Sequence, residues 1–480
     1  MAAWLLTGTG LLAGYVAQII AILLLEHRRQ SYMTAWLFLS LLFPFIGFFV
    51  YLIAGRRMKR EIGEVERINE LDFQVKLDVC KPDEILESSK QPNESNVSFK
   101  RLYALLSELA PFPITSHNKT VVLTNGEETF ASILAELRKA EHHIHLEYYT
   151  IRNDGVGSKV LAVLMEKARQ GVEVRVIYDG IGSLQLDKDF LERLHEAGGR
   201  SACFSPPRIA LLNRRINFRN HRKIIVVDGK VGFLGGINIG DEYLGLDKKL
   251  GFWRDTHLYI QGEAAYYMQL IFMSDWLRVT SKQFSEDKRY FPPIHSANNE
   301  RVLIVPGKPG INDQKIVEVL FSAMAMARTR IYATTPYFIP DPSLAASLRT
   351  AARSGIDVQL IIPGISDSKL VLMATLSYVQ DMLEAGVRIF RYQKGFIHAK
   401  VLIIDDMLAS VGTANLDMRS LYSNYELLAL LFDEKPIRKL EEDFLNDLKH
   451  SEEIDPERFK RRSGKQKAAE AIMHMLSPLL

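Results

Sequence analysis

Cysteine is nearly absent from this chain. Cys80 and Cys203 are the two among 480 residues, which leaves no disulfide framework and suits a reducing compartment. Net charge is small as well: 60 Lys and Arg against 57 Asp and Glu give +3, so bulk charge supplies no footprint for nucleic acid. Charge is missing altogether from two N-terminal runs, Ala2 to Leu25 and Ser31 to Gly55. Each is long enough to cross a bilayer as a helix, and membrane helices tolerate a proline such as Pro44. The first run has no basic stretch before it and ends at Leu-Leu-Leu-Glu rather than at small residues, so it does not read as a cleaved leader. Arg56, Arg57, Lys59 and Arg60 follow the second run, while the short connection carries only Arg28 and Arg29. The positive-inside rule then predicts a hairpin in the cell membrane with both ends, and nearly the whole chain, cytoplasmic.

What is present is a repeated pattern. Asn220 opens N-H-R-K-I-I-V-V-D-G-K-V-G-F-L-G-G-I-N, and Ile397 opens I-H-A-K-V-L-I-I-D-D-M-L-A-S-V-G-T-A-N. His221, Lys223, Asp228, Gly235 and Asn238 match His398, Lys400, Asp405, Gly412 and Asn415 at the same spacings. The apolar runs 224–227 and 401–404 read as buried strands. Residues two apart share a strand face, so His221 points with Lys223 and His398 with Lys400. Asn238 and Asn415 follow a Gly-containing turn and could offer amide donors beside them. Two such edges set face to face would gather two imidazoles, two ammoniums and two amides, a set suited to a phosphate. Asp228 and Asp405 complete the motif and are grouped with the catalytic residues. Their place after the strands suits securing the backbone or the lysines. No Cys or carboxylate flanks the histidines at zinc-ligand spacing, so no metal or other cofactor is expected.

Around the motifs the chain alternates strands and helices, the mark of an α/β fold. The first half reads as strand 120–124, helix 127–140, strand 144–151, helix 158–170, strand 172–178 and helix 191–197. The second reads as strand 302–305, helix 315–328, strand 331–335, helix 343–354, strand 358–362 and helix 378–385. The expected organisation is a transmembrane hairpin with its basic flank (1–60), a linker region (61–117) holding a short helix near 99–109, lobe 1 (118–295), lobe 2 (296–452) and a C-terminal tail (453–480). In that tail 465–480 reads as a frayed end or as a short amphipathic helix at the bilayer. Residues 206–219 interleave apolar and basic side chains. They leave two readings open: a surface loop, or a rim with Ile209, Leu211, Leu212 and Phe218 in lipid and Arg208, Arg214, Arg215 and Arg219 on headgroups.

The duplicated H-x-K-x4-D-x6-G-x-x-N resembles the phospholipase D superfamily. With the two apolar runs, H-I-H-L-E-Y-Y at 143–149, W-R-D-T-H at 253–257 and the final S-P-L-L, the chain is similar to bacterial cardiolipin synthases. The resemblance implies two similar lobes, each a sheet flanked by helices, with one motif from each. It implies phosphatidyl transfer through a phosphohistidine, joining two phosphatidylglycerols into cardiolipin and releasing glycerol. It also implies acidic residues that orient the histidines, and the positions that match are Asp255 and Glu426. Family precedent makes His221 the nucleophile and His398 the acid and base. The partners implied are phosphatidylglycerol, cardiolipin and the bilayer, and not nucleic acid; the oligomeric state is left unknown. A phospholipase D that releases phosphatidic acid, or a transferase for another headgroup alcohol, shares the same motifs.

Overall fold

The β-branched runs behind the motif lysines form strands Lys223–Val227 and Val401–Ile404, buried along their whole length. Each lies inside a sheet covered on both faces, which is why it is apolar at every position rather than at every second one. The computed structural model describes residues 2–26, 30–52, 97–206, 218–284, 287–293, 298–310 and 314–479.

Among these residues, 16 strands form one sheet; fifteen follow an order that is the same in both directions from the middle, and Arg219–Asn220 pairs off that path with Asn424–Leu431. Outward through lobe 1 come Thr115–Thr124, Thr256–Gly262, Val231–Gly235, Lys223–Val227, His143–Tyr148, Glu173–Asp179 and Arg200–Phe204. Outward through lobe 2 come Glu300–Gly307, Asn424–Leu431, Leu408–Gly412, Val401–Ile404, Arg330–Thr334, Asp357–Pro363, Arg388–Tyr392 and Ser451–Glu453. The first strand of each lobe pairs antiparallel with the other, Thr115 facing Val302 and Asn118 facing Glu300. The duplicated halves thus share one sheet.

Helices Asn125–Lys139, Gly155–Arg169 and Lys188–Glu196 cover one face in lobe 1. Val97–Leu109, Lys315–Ala325, Pro342–Arg353 and Lys369–Glu384 do so in lobe 2. Two helices that the sequence reading leaves unassigned, Ala264–Thr280 and Glu434–Leu448, pack on a third core spanning both lobes. Each reaches the first strand of the opposite lobe. Ala264–Thr280 is buried on most of its circumference, so it shows no polar stripe to mark a helical period.

The N-terminal runs form helix Ala2–Glu26 and helix Gln30–Leu42, which pack together. The second run is not one unbroken helix. It stops at Leu42, turns through Pro44 and Phe45, and resumes over 46–52. Proline has no N–H to donate and its ring crowds the preceding turn; Phe45 takes a left-handed φ of 64°. Only the window Thr9–Glu26 is long and apolar enough to cross a membrane among the described helices; Met33–Leu42 is a shorter apolar one. The basic flank after residue 52 lies outside the described residues.

The tail forms helix Gly464–Leu476 and a closing turn Ser477–Leu479. It docks on Lys369–Glu384 and on Gln30–Leu42. One apolar cluster there joins Ile22, Trp36 and Tyr51 to Ile339, Ala374, Met418 and Met473. Of the 206–219 segment, 207–217 lie outside the described residues. Its last two side chains do not form a rim: Phe218 is buried, and Arg219 is buried with its guanidinium 3.4 Å from Asp179. The polar connection 281–299 carries a short turn, Lys288–Tyr290, whose Tyr290 ring meets His143 and His145.

Candidate active site

Each motif histidine arrives on a short strand that pairs with the opposite lobe. Arg219–Asn220 runs parallel to the start of Asn424–Leu431, and the His221 amide donates to the Tyr425 carbonyl at 2.9 Å. Gly395–Ile397 runs parallel to Phe252–Arg254, and the His398 amide donates to the Arg254 carbonyl at 2.7 Å. This pairing carries the acids across the lobe boundary. His221 Nδ1 lies 3.0 and 2.9 Å from the two Glu426 oxygens, and His398 Nδ1 lies 2.7 Å from Asp255 Oδ2. Each lobe therefore orients the other lobe's histidine.

Both rings open on one cavity of about 860 Å³, also lined by Tyr149, Asn238, Tyr243, Trp253, Tyr337, Asn415, Asp417 and Arg419. The Nε2 of each ring has no protein partner among the described residues. A carboxylate on Nδ1 fixes the proton there and leaves Nε2 with its lone pair toward the cavity. Burial pushes Glu426 up, but His221, Lys223 and Thr413 outweigh it and hold the carboxyl down at about 2. Asp255 is likewise pushed up by burial and brought below its ordinary range by His398, Lys400 and the Thr256 amide. Burial lowers both histidines. For His398 the cationic neighbour Lys400 adds to this, and the ring sits at about 4 despite Asp255; His221 is lowered with Glu426 opposing. Three rings surround His398: Trp253 stands 5.2 Å away, Phe396 5.7 Å and Tyr243 6.4 Å between centroids. His221 meets Tyr149 edge-on at 5.0 Å.

The lysines follow their histidines as the strand period requires. Lys223 Nζ donates to the His221 carbonyl at 2.8 Å and Lys400 Nζ to the His398 carbonyl. Burial pushes Lys223 down to about 7 and Lys400 to about 8, against the pull of Glu426 and Asp255. A bound phosphate would reverse that, since a nearby anion favours the ammonium.

Two groups of motif residues meet expectation only in part. Asp228 and Asp405, grouped with the catalytic set, sit at the far ends of the motif strands, roughly 16 Å from the lysines at about 3.3 Å per residue. They do not line the cavity among the described residues. Asp228 accepts the amides of Glu141, His142 and His143 at 2.8–2.9 Å, and Asp405 those of Arg328, Thr329 and Arg330 at the same range. They secure backbone and not lysine, clamping each motif strand to its neighbour. Asn238 and Asn415 do line the cavity, but their amide groups are engaged: Asn238 Nδ2 donates to the Tyr243 hydroxyl at 2.6 Å and Asn415 Nδ2 to Asp417 at 2.9 Å.

Other residues of the site carry no motif. Tyr149 and Trp253 lie in sequence stretches quoted above, but their ring contacts with the histidines, edge-on and tilted, depend on the fold. Thr413 donates its hydroxyl to Glu426. Its counterpart in the first copy is Gly236, where a Cβ would fall 2.0 Å from Asp255 Oδ1. The glycine is what lets that carboxylate approach. Buried Arg222 and Arg254 stand behind the two acids.

Comparison with known proteins agrees with this geometry. Residues 133–276 and 320–448 match the family described as "Cardiolipin synthase, PLD-like domain", and 15–56 match "Phospholipase_D-nuclease N-terminal". A cardiolipin synthase of Geobacillus kaustophilus is 44% identical over 469 residues, covering 97% of this chain and 92% of that protein. The chain belongs to the cardiolipin synthase family. A second member, from Halalkalibacterium halodurans, is 39% identical over 472 residues, covering 96% and 91%. The fold of these cardiolipin synthase lobes is also that of a solved structure, the phosphatidylserine synthase of Haemophilus influenzae Rd KW20. That structure aligns with a TM-score of 0.57 at 16% identity, covering 79% of this chain and 100% of its own.

Proposed function

We infer that this chain is a membrane-bound phosphatidyltransferase that joins two phosphatidylglycerols into cardiolipin and releases glycerol. The observation that carries the reading is the crossed pair of carboxylate-bound histidines, with a lysine beside each, facing one cavity. His221 Nε2 attacks the phosphorus of the first lipid, forming an N–P bond as the P–O bond to glycerol breaks. His398 gives that glycerol oxygen its proton. Burial holds His398 neutral while the cavity is empty, and the phosphodiester's charge favours its protonated form, so the substrate assembles its own acid. The neutral His398 then takes a proton from the glycerol hydroxyl of the second lipid. That oxygen attacks phosphorus, the N–P bond breaks, and cardiolipin leaves. Lys223 and Lys400 neutralise the phosphoryl oxygens throughout. Purified enzyme in phosphatidylglycerol vesicles should release one labelled glycerol per cardiolipin. Phosphatidic acid as the main product would mark a hydrolase instead.

The N-terminal runs are read as a hairpin with both ends cytoplasmic. Large apolar side chains such as Leu12, Leu24, Ile46 and Phe49 are 63–69% exposed, a surface that lipid would cover. Membrane-impermeant labelling should reach a cysteine placed at Gln30 and miss one at Lys59. The opposite pattern would move catalysis out of the cytoplasm.

A further inference from the structure

Joining two phosphatidylglycerols brings two phosphodiesters together. One is broken at the histidines. The other, belonging to the acceptor, stays intact one glycerol away from the reacting phosphorus. Water competes with the acceptor for the same phosphoryl group, so the acceptor must be held for transfer to win. Lys223 and Lys400 serve the phosphate that reacts, and the structure offers three arginines along the cavity for the other: Arg152, Arg219 and Arg419.

Two of them are already neutralised. Arg152 bonds Glu242 at 3.0 Å, and Arg219 lies 3.4 Å from Asp179 and 3.2 Å from the Ser205 hydroxyl. Arg419 is exposed, with no side-chain hydrogen bond or ion pair among the described residues. Its surroundings suit a lipid headgroup. The preceding residue, Met418, lines the same cavity and packs in the apolar cluster of Ile22, Trp36 and Tyr51, so Arg419 follows directly on a contact between the cavity wall and the N-terminal helices. Its charge also reaches Tyr149, whose ring touches His221. A lipid arriving along the apolar helices would bring its phosphate to this guanidinium before its glycerol reached the histidines. A planar guanidinium pairs with two phosphate oxygens at once, which sets orientation as well as attraction.

We propose that Arg419 binds the intact phosphodiester of the acceptor phosphatidylglycerol and so favours transfer over hydrolysis. The inference rests on the transferase reading above. It separates two reactions of one enzyme: cardiolipin formation, which needs the charged acceptor, and exchange of labelled free glycerol into phosphatidylglycerol, which uses an uncharged one. For Arg419→Ala in phosphatidylglycerol vesicles, the ratio of cardiolipin formation to glycerol exchange should fall about 10- to 100-fold, the range of one charge-assisted hydrogen-bonded contact. The share of phosphatidic acid should rise, and Arg419→Lys should recover part of the ratio. If both reactions fall together, Arg419 serves the donor or the fold, and the inference is overturned; an unchanged ratio overturns it as well. Absence of both reactions in the wild type would instead remove the transferase reading on which it stands.

Discussion

In the half of the site built around His221, a buried cation comes from the residue between the motif histidine and lysine, Arg222. In the half around His398 that position is Ala399, and the cation comes from the residue before the acid, Arg254. Arg222 donates to the carbonyls of Glu426 and Gly307, each at 3.0 Å, and to Asp275 on helix Ala264–Thr280. Arg254 donates to the Asp255 carbonyl, to the Thr256 hydroxyl at 2.9 Å and to Asp447 on helix Glu434–Leu448 at 2.8 Å. The residue before Glu426 is Tyr425, whose ring lies 5.3 Å from the Arg222 guanidinium. Both halves thus fix the backbone of the orienting acid with an arginine anchored to the equivalent helix, but from different chain positions. Duplication has kept the place of the charge and not the residue that supplies it. A motif alignment sees five matching positions and misses this exchange.

The largest test of how far the halves differ lies in the histidines. His221→Ala and His398→Ala should each reduce cardiolipin formation by about 10³-fold or more. A donor with a good leaving group should separate them, because it needs little protonation. His398→Ala should then accumulate label on His221, and His221→Ala should trap none. Label on His398 in the His221 variant would exchange the two roles.

A smaller loss is expected at the acids. Glu426→Gln and Asp255→Asn keep shape but no longer hold the imidazole proton on Nδ1, which should slow turnover by about 10²- to 10⁴-fold with the melting curve little changed. Loss confined to one variant would make one half dispensable. Near-normal rates in both would separate the carboxylates from catalysis.

The arginines should differ in stability. Removing one partner of a buried ion pair costs about 3–5 kcal/mol. Arg254→Met takes the cation from Asp447, while Arg222→Met leaves Asp275 bonded to Arg278 at 2.8 Å. The drop in Tm should therefore be greater for Arg254→Met, and the reverse order would mean that Arg222 is the main tie between the lobes.

The smallest effect concerns the lysines. Their folded values of about 7 and 8 lie below that of an unfolded lysine, about 10.4. The unfolded chain then binds more protons between those limits, so stability of the empty enzyme should rise with pH from 7 to 8.5. Lys223→Met should reduce the slope across that whole range, and Lys400→Met only above about pH 8. A rise unchanged in both variants would place its origin elsewhere.

Much of the site could be read in the chain because its strands are local. Lys223–Val227 and Val401–Ile404 carry their own apolar signal, and the period of two sets each lysine beside its histidine. Asp255 and Glu426 follow from family resemblance alone. Nothing local shows that each serves the histidine of the other lobe, since these pairs are separated by 143 and 205 residues. Asp228 and Asp405 illustrate the converse. They stand inside the motif, yet their work is to cap amides at the opposite strand end, where both take left-handed φ values of 52° and 49°. The break at Pro44 was visible as a proline, but whether a neighbouring helix would repair it was not. Helix Ala264–Thr280 was hidden by its burial, which removes the polar face that periodicity needs.

The crossed histidine–acid pairs also have a consequence in time. Contacts of such long sequence separation form late, because much chain must be ordered before they close, and domains emerging from the ribosome fold from the N-terminal side first. While lobe 2 is still being made, His221 lacks both Glu426 and the strand Asn424–Leu431 on which its own short strand pairs. His398, whose acid is already in place, is itself not yet synthesised. If His221 is the nucleophile, a nascent chain carrying only the apolar helices and lobe 1 would hold it without the carboxylate that orients it. On the roles proposed above, reactivity would begin only when the second lobe closes.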